Sequence, residues 1–165
     1  MNNIILVGMP SCGKSTLGHL LADKLGYTFL DTDDVIVQQN GCTLQDIIDN
    51  HGRDVFMERE EAAVLSVNTQ KTIIATGGSV VYSPAAMAHL KKLGRVVYLY
   101  ISYDMLAARI GDPRTRGVVF APGFTLKDMY NERTALYDHY ADITLVETPE
   151  DTTEQSVDQL LDMLK

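Results

Sequence analysis

Ile4-Ile5-Leu6-Val7-Gly8-Met9-Pro10-Ser11-Cys12-Gly13-Lys14-Ser15-Thr16 joins a short β-branched apolar run to a glycine-bounded turn. The run reads as a buried strand, and four residues separate Gly8 from Gly13 before Lys14 and Ser15 complete a G-x-x-x-x-G-K-[ST] pattern. Glycines at these places let backbone N–H groups come close to phosphate oxygens. Lys14 has the reach for β- and γ-phosphates, and the Ser15 hydroxyl is a Mg²⁺ ligand in such loops. Thr16 to Leu25 continues as a helix whose positive N-terminal end points at the same anion. Strand, turn and helix together predict a site for a nucleoside triphosphate, built from Gly8, Ser11, Cys12, Gly13, Lys14, Ser15 and Thr16.

Beyond this stretch the chain alternates strand and helix. Tyr27 to Leu30 reads as a second strand running into Asp31-Thr32-Asp33-Asp34, and Val35 to Gln39 as a short helix stopped at Asn40-Gly41. Thr43 caps Leu44 to Asn50, and a longer charged helix begins at Asp54 and ends near Ser66. Lys71 to Ala75 is a third strand, followed by the turn Thr76-Gly77-Gly78-Ser79. Ser83-Pro84 opens a helix to Leu93, Arg95 to Ile101 is a buried strand, and Ser102 caps a helix through Arg109. Residues 110–123 hold two prolines, three glycines and two arginines, and read as a mobile lid. Thr125 caps a helix to about His139, Ile143 to Val146 is the last strand, and an amphipathic helix follows Pro149. Continuous apolar strands alternating with helices predict a three-layer α/β/α fold around a five-stranded parallel sheet, in a single domain spanning 1–165.

The chain has 165 residues, 45% of them hydrophobic and 22% charged, which is ordinary for a soluble globular protein. A net charge of −8 argues against nucleic acid as a partner and makes the few arginines informative. No apolar run reaches membrane-spanning length. With no secretory signal and Cys12 inside the phosphate loop, Cys12 and Cys42 read as free thiols of a cytoplasmic protein. Cys12, beside Lys14 at a helix start, reads either as an easily ionised thiol or as one that packs against the loop. No helix shows a second apolar face, which points to a monomer.

Asp31 and Asp33 fall at the carboxyl end of the second strand, where ligands bind in open α/β sheets. Two apart in a strand, they are expected to face one cleft. Asp31 is then a candidate for the Mg²⁺ shell, and Asp33 for the general base on an acceptor hydroxyl. The alternative for either aspartate is a cap on the next helix.

These pieces together resemble the shikimate kinase family over nearly the whole chain. The resemblance rests on the phosphate loop, Asp31-Thr32-Asp33, Gly77-Gly78, Arg116, and Arg133 within Glu132-Arg133-Thr134-Ala135-Leu136-Tyr137 ahead of Ala141-Asp142. It implies an ATP- and Mg²⁺-dependent kinase of a small hydroxy acid, shikimate first, with an acceptor region at about 32–62. It implies that Asp33 holds the acceptor hydroxyls, that Gly77 and Gly78 admit the acid, and that Glu60 frames the pocket. Arg133 would pair with the carboxylate, Arg116 would close over the ATP phosphates, and Arg109 would lie along the adenine.

The chain departs from the family at three places. Phe56-Met57-Glu58-Arg59-Glu60 carries methionine where the family has a carboxylate-gripping arginine. Ser79 replaces a third turn glycine, and Arg116-Gly117-Val118-Val119 replaces Arg-Pro-Leu-Leu. Met57 keeps a kinase of another polyol or sugar acid as the second reading. Arg53 lies one helical turn before Met57, near enough to reach the same carboxylate while Met57 lines the pocket; Arg59 points away. A GTP-binding switch is disfavoured, since the guanine-reading Asn/Thr-Lys-x-Asp tetrapeptide is absent. A non-catalytic binding protein is disfavoured by intact Lys14, Ser15, Asp31 and Asp33.

Overall fold

The computed structural model describes residues 2–111 and 123–165. Five strands, β1 (Asn3–Val7), β2 (Thr28–Asp31), β3 (Thr72–Ala75), β4 (Gly94–Tyr100) and β5 (Ile143–Val146), form one sheet in the order β2-β3-β1-β4-β5. Every pairing is parallel, with Ile4 opposite both Ile73 and Arg95. All residues of β1 and β3 are buried, as expected for central strands covered on both faces. The predicted three-layer α/β/α arrangement is therefore the observed one.

Seven helices connect the strands among the described residues: α1 (Lys14–Leu25), α2 (Thr32–Asn40), α3 (Leu44–Leu65), α4 (Pro84–Leu93), α5 (Tyr103–Ile110), α6 (Leu126–Tyr140) and α7 (Thr153–Met163). The expected caps are in place. Thr43, Ser83, Ser102 and Thr125 each accept a hydrogen bond from a first-turn N–H, and Thr43 and Thr125 close full capping boxes. α1 lies so close to β2 that a Cβ on Gly18 would fall 2.6 Å from the Phe29 ring.

Two readings change. The helix expected at Val35 begins at Thr32, so β2 passes into α2 with no loop between them. The two helices expected at 44–50 and 54–66 are both present; they follow each other closely as α3, separated at Gly52, whose φ of 84° and ψ of 178° are non-helical. A short 3-10 turn, Val80–Tyr82, follows the glycine turn and was not expected.

The core falls into two parts. A large cluster fills both sides of the sheet, centred on Ile5, Leu6, Ile74, Val97 and Leu99. A small one, Ile36, Ile47, Phe56 and Ala63, lies between α2 and α3, with Met57 packed against it. At the amino ends of the strands, the Asn3 amide donates to Thr69 O and Leu93 O and accepts from Thr72 N, tying β1, β3 and the entry to β4 together. No helix among the described residues is long and apolar enough to cross a membrane.

Candidate active site

β1 and β3 are neighbours whose following connections leave in opposite directions, α1 toward β2 and α4 toward β4. Such a reversal opens a crevice at the carboxyl ends of the strands. A cavity of about 520 Å³ lies there, between the phosphate loop, the Gly77-Gly78 turn, Asp31, Asp33, Glu60 and Arg133.

The loop's sequence explains its shape. Gly8 has φ of 154°, and a Cβ there would meet Leu99 O at 2.8 Å. Gly13, with φ of 92°, precedes α1 without a side-chain cap, so no side chain of its own satisfies the first-turn N–H groups. That leaves a helix start suited to an anion. The Lys14 ammonium donates to Gly8 O at 2.7 Å and Met9 O at 2.9 Å. Ser11, Gly13, Lys14, Ser15, Thr16 and Arg109 line the cavity; Gly8 shapes the loop from beneath. Arg109 is tied to the loop through Ser11 O at 3.4 Å.

Cys12 is 1% exposed, and burial raises its thiol pKa against the lowering effect of Lys14, whose Nζ lies 3.5 Å from Sγ. The easily ionised thiol is overturned; Cys12 packs beneath the loop. Both cysteines are free. Cys12 also borders a second cavity of about 160 Å³, shared with Thr16, Arg109, Glu147 and the Thr148–Thr153 turn. The sequence reading missed this wall, although Glu147 follows the last strand at its carboxyl end.

Asp31 and Asp33 both line the main cavity, for a different reason than the strand period. Asp31 ends β2, and its Oδ1 accepts from Asp33 N at 2.9 Å, capping α2. Asp33 is held on the first turn of that helix. The aspartate that caps is thus also a cavity residue. Burial raises both carboxyls; Asp33 reaches about 6, with the Asp31 charge adding to the shift and Lys14 opposing it. Among the described residues no three His, Cys, Asp or Glu side chains gather as a metal cage. Ser15 and Asp31, which line one cavity together with Lys14, fit an ion that keeps several waters and borrows phosphate oxygens.

Opposite the loop, α3 presents Glu60, 2% exposed. Its Oε1 accepts from Ser79 Oγ at 2.6 Å, and its Oε2 is buried with no hydrogen-bond partner. Burial pushes Glu60 up to about 7 against the Ser79 hydrogen bond, with Asp33 raising and Arg133 lowering it. A Cβ on Gly77 would fall 2.6 Å from Glu60 Oε2 and 3.0 Å from Asp33 Oδ1; one on Gly78 would fall 2.7 Å from Arg133 Nη1. The bare glycines therefore keep open the space that three charged side chains face. Arg133, on α6, is 1% exposed, and the Tyr137 hydroxyl one turn later donates to Gly78 O.

Arg53 and Met57 do not line the main cavity. They share a neighbouring one of about 260 Å³ that meets it at Glu60 and Ser79. Arg59 points away, as expected, donating to Asn40 Oδ1 at 3.0 Å. Ser79 and Tyr82 are site residues that the sequence singled out only as a departure or not at all. Arg116 and residues 112–122 of the expected lid lie outside the described residues.

A family model described as Shikimate kinase matches residues 10–165. A shikimate kinase of Pseudomonas paraeruginosa is 38% identical over 168 aligned positions, covering 100% of this chain and 97% of the relative. One of Thiobacillus denitrificans is 37% identical over 159, covering 94% and 84%. Among solved structures, shikimate kinase from Acinetobacter baumannii in complex with shikimate matches with a TM-score of 0.87 at 30% identity, covering 99% of this chain and 93% of that one.

Proposed function

Since the chain belongs to the shikimate kinase family, we propose that it moves the γ-phosphoryl group of ATP to a hydroxyl of shikimate, giving shikimate 3-phosphate and ADP. The observation that carries this reading is one cavity walled on one side by a phosphate loop and on the other by Asp33, Glu60, the bare Gly77-Gly78 turn and Arg133.

ATP phosphates occupy the loop, held by backbone N–H groups of residues 11–16 and by Lys14, which exchanges Gly8 O and Met9 O for phosphate oxygens. Arg109, which lines both cavities, would lie along the nucleoside, and Arg116 is assigned the role of adding charge on the phosphates. Ser15 and Asp31 would hold Mg²⁺, which supplies charge neutralisation on the phosphates. The acid sits over Gly77 and Gly78 with its carboxylate toward Arg133. Asp33 takes the proton of the attacking hydroxyl, and a carboxyl held at about 6 is well matched to that work near neutral pH.

ADP release measured with shikimate, quinate and gluconate tests the reading. Shikimate should stimulate release most, and Asp33→Asn should lower kcat by roughly 10²- to 10⁴-fold while ATP binding persists. Release that is the same with and without shikimate would refute the assignment.

A further inference from the structure

We infer that Arg53 is a specificity residue of the acceptor site: its guanidinium, paired with that of Arg133 around Tyr82, binds the carboxylate of the hydroxy acid. The inference rests on the kinase reading above and extends it into the neighbouring cavity.

The placement begins with Gly52. Its left-handed φ interrupts α3 and restarts the helix at Arg53, so the side chains of Arg53 and Met57, one turn apart, face the same 260 Å³ cavity. The Arg53 guanidinium carbon lies 5.7 Å from the centroid of the Tyr82 ring, and that of Arg133 lies 5.4 Å from the same centroid. Two guanidinium groups gathered at one ring from different helices favour a carboxylate beside them.

The acidic groups nearby do not neutralise Arg53 inside the cavity: Glu132 hydrogen-bonds the Tyr82 side chain and is exposed. Asp54 is the ion partner of Arg53 at 3.9 Å, but its side chain is 94% exposed, where such a pair is worth little. Glu61 is engaged by the Ser83 hydroxyl. Glu58 is exposed. Glu60 is buried, holds Ser79, and keeps its proton up to about pH 7. Meanwhile Arg53 Nε is buried and donates no hydrogen bond among the described residues. A buried donor without an acceptor is costly, and the fork of a guanidinium matches a carboxylate. The two cavities meet at Glu60 and Ser79, beside Arg133 and Gly78. An acid whose hydroxyls face Asp33 extends toward this junction with its carboxylate.

The test compares shikimate with its neutral methyl ester in the wild-type protein and in Arg53→Gln. The wild type should favour the acid over the ester. Arg53→Gln should raise the KM for shikimate by about ten- to hundred-fold, the range for losing a charged hydrogen bond. It should also lose most of the discrimination against the ester, with kcat and the KM for ATP nearly unchanged. Met57→Arg, placing a guanidinium one turn along the same cavity, should restore part of the shikimate affinity in that background. Should Arg53→Gln fold poorly, Arg53→Lys serves, with a smaller loss of the same pattern. A wild-type KM and wild-type ester discrimination in the folded variants overturn the role of Arg53 alone. A wild-type protein that does not phosphorylate shikimate overturns the kinase reading, and this proposal with it.

Discussion

Glu60 carries a carboxyl that folding strips of water, and its behaviour with pH follows from that. In the unfolded chain it loses its proton near 4.5; in the folded protein it holds it to about 7. Below 4.5 both states are protonated and the folded state keeps its full advantage. As pH rises toward 7 the unfolded state ionises first, so the wild type loses stability across that window. Glu60→Gln can still accept from Ser79 and has no proton to lose. Its stability relative to wild type should therefore rise between pH 5 and pH 8, by on the order of 3 kcal/mol. Urea denaturation at the two pH values measures it; an equal difference at both would mean that folded Glu60 is already ionised at pH 5. At this scale the sequence was legible where chemistry is local, as at Lys14 and the loop glycines. It was not legible for Cys12, because a neighbouring lysine can be read from spacing whereas burial cannot. Ser79 was visible only as a departure, since its hydrogen bond joins residues 19 apart in the chain.

Element boundaries show the same division. Caps and apolar periods marked most helix starts, because a Ser or Thr before a helical pattern acts on its own first turn. The passage from β2 to α2 was misplaced: Asp31, Thr32, Asp33 and Asp34 can each cap or begin a helix, and only the observed hydrogen bond selects Asp31. The break in α3 was legible, because glycine suits a stop or a kink; that a single residue makes it was not, and that residue is Gly52. Its φ and ψ belong to a region essentially reserved for glycine. A Cβ at this position would meet nothing within 4 Å, so Gly52→Ala should destabilise through backbone strain alone, by about 1–3 kcal/mol. It should also raise the acceptor KM, because the restart of the helix sets where Arg53 and Met57 point. Chemical denaturation and shikimate kinetics together check this. A variant as stable as wild type would show that the kink relaxes without cost.

Across the whole molecule, the parallel sheet could be read from alternating elements, while the order β2-β3-β1-β4-β5 could not. Apolar runs say that strands are covered, not which strand lies beside which. The order decides that the phosphate loop and the glycine turn meet at one crevice. At the other end Asn3 fastens the strands together, so the two ends of the sheet do different work. The small cluster of Ile36, Ile47, Phe56 and Ala63 stands apart from the sheet's own core and carries the cavity wall to which Phe56 and Glu60 belong. Ile47→Ala should cost about 2–5 kcal/mol, lost first by local opening of α2 and α3. Amide exchange should quicken there and stay slow in β1 and β3, and the KM should rise for shikimate but not for ATP. Exchange that quickens equally in β1 would show a single cooperative unit. The division bears on inheritance. A four-residue core set apart from the sheet can be substituted without touching the phosphate loop, so under the proposed function acceptor preference is heritable separately from the handling of ATP.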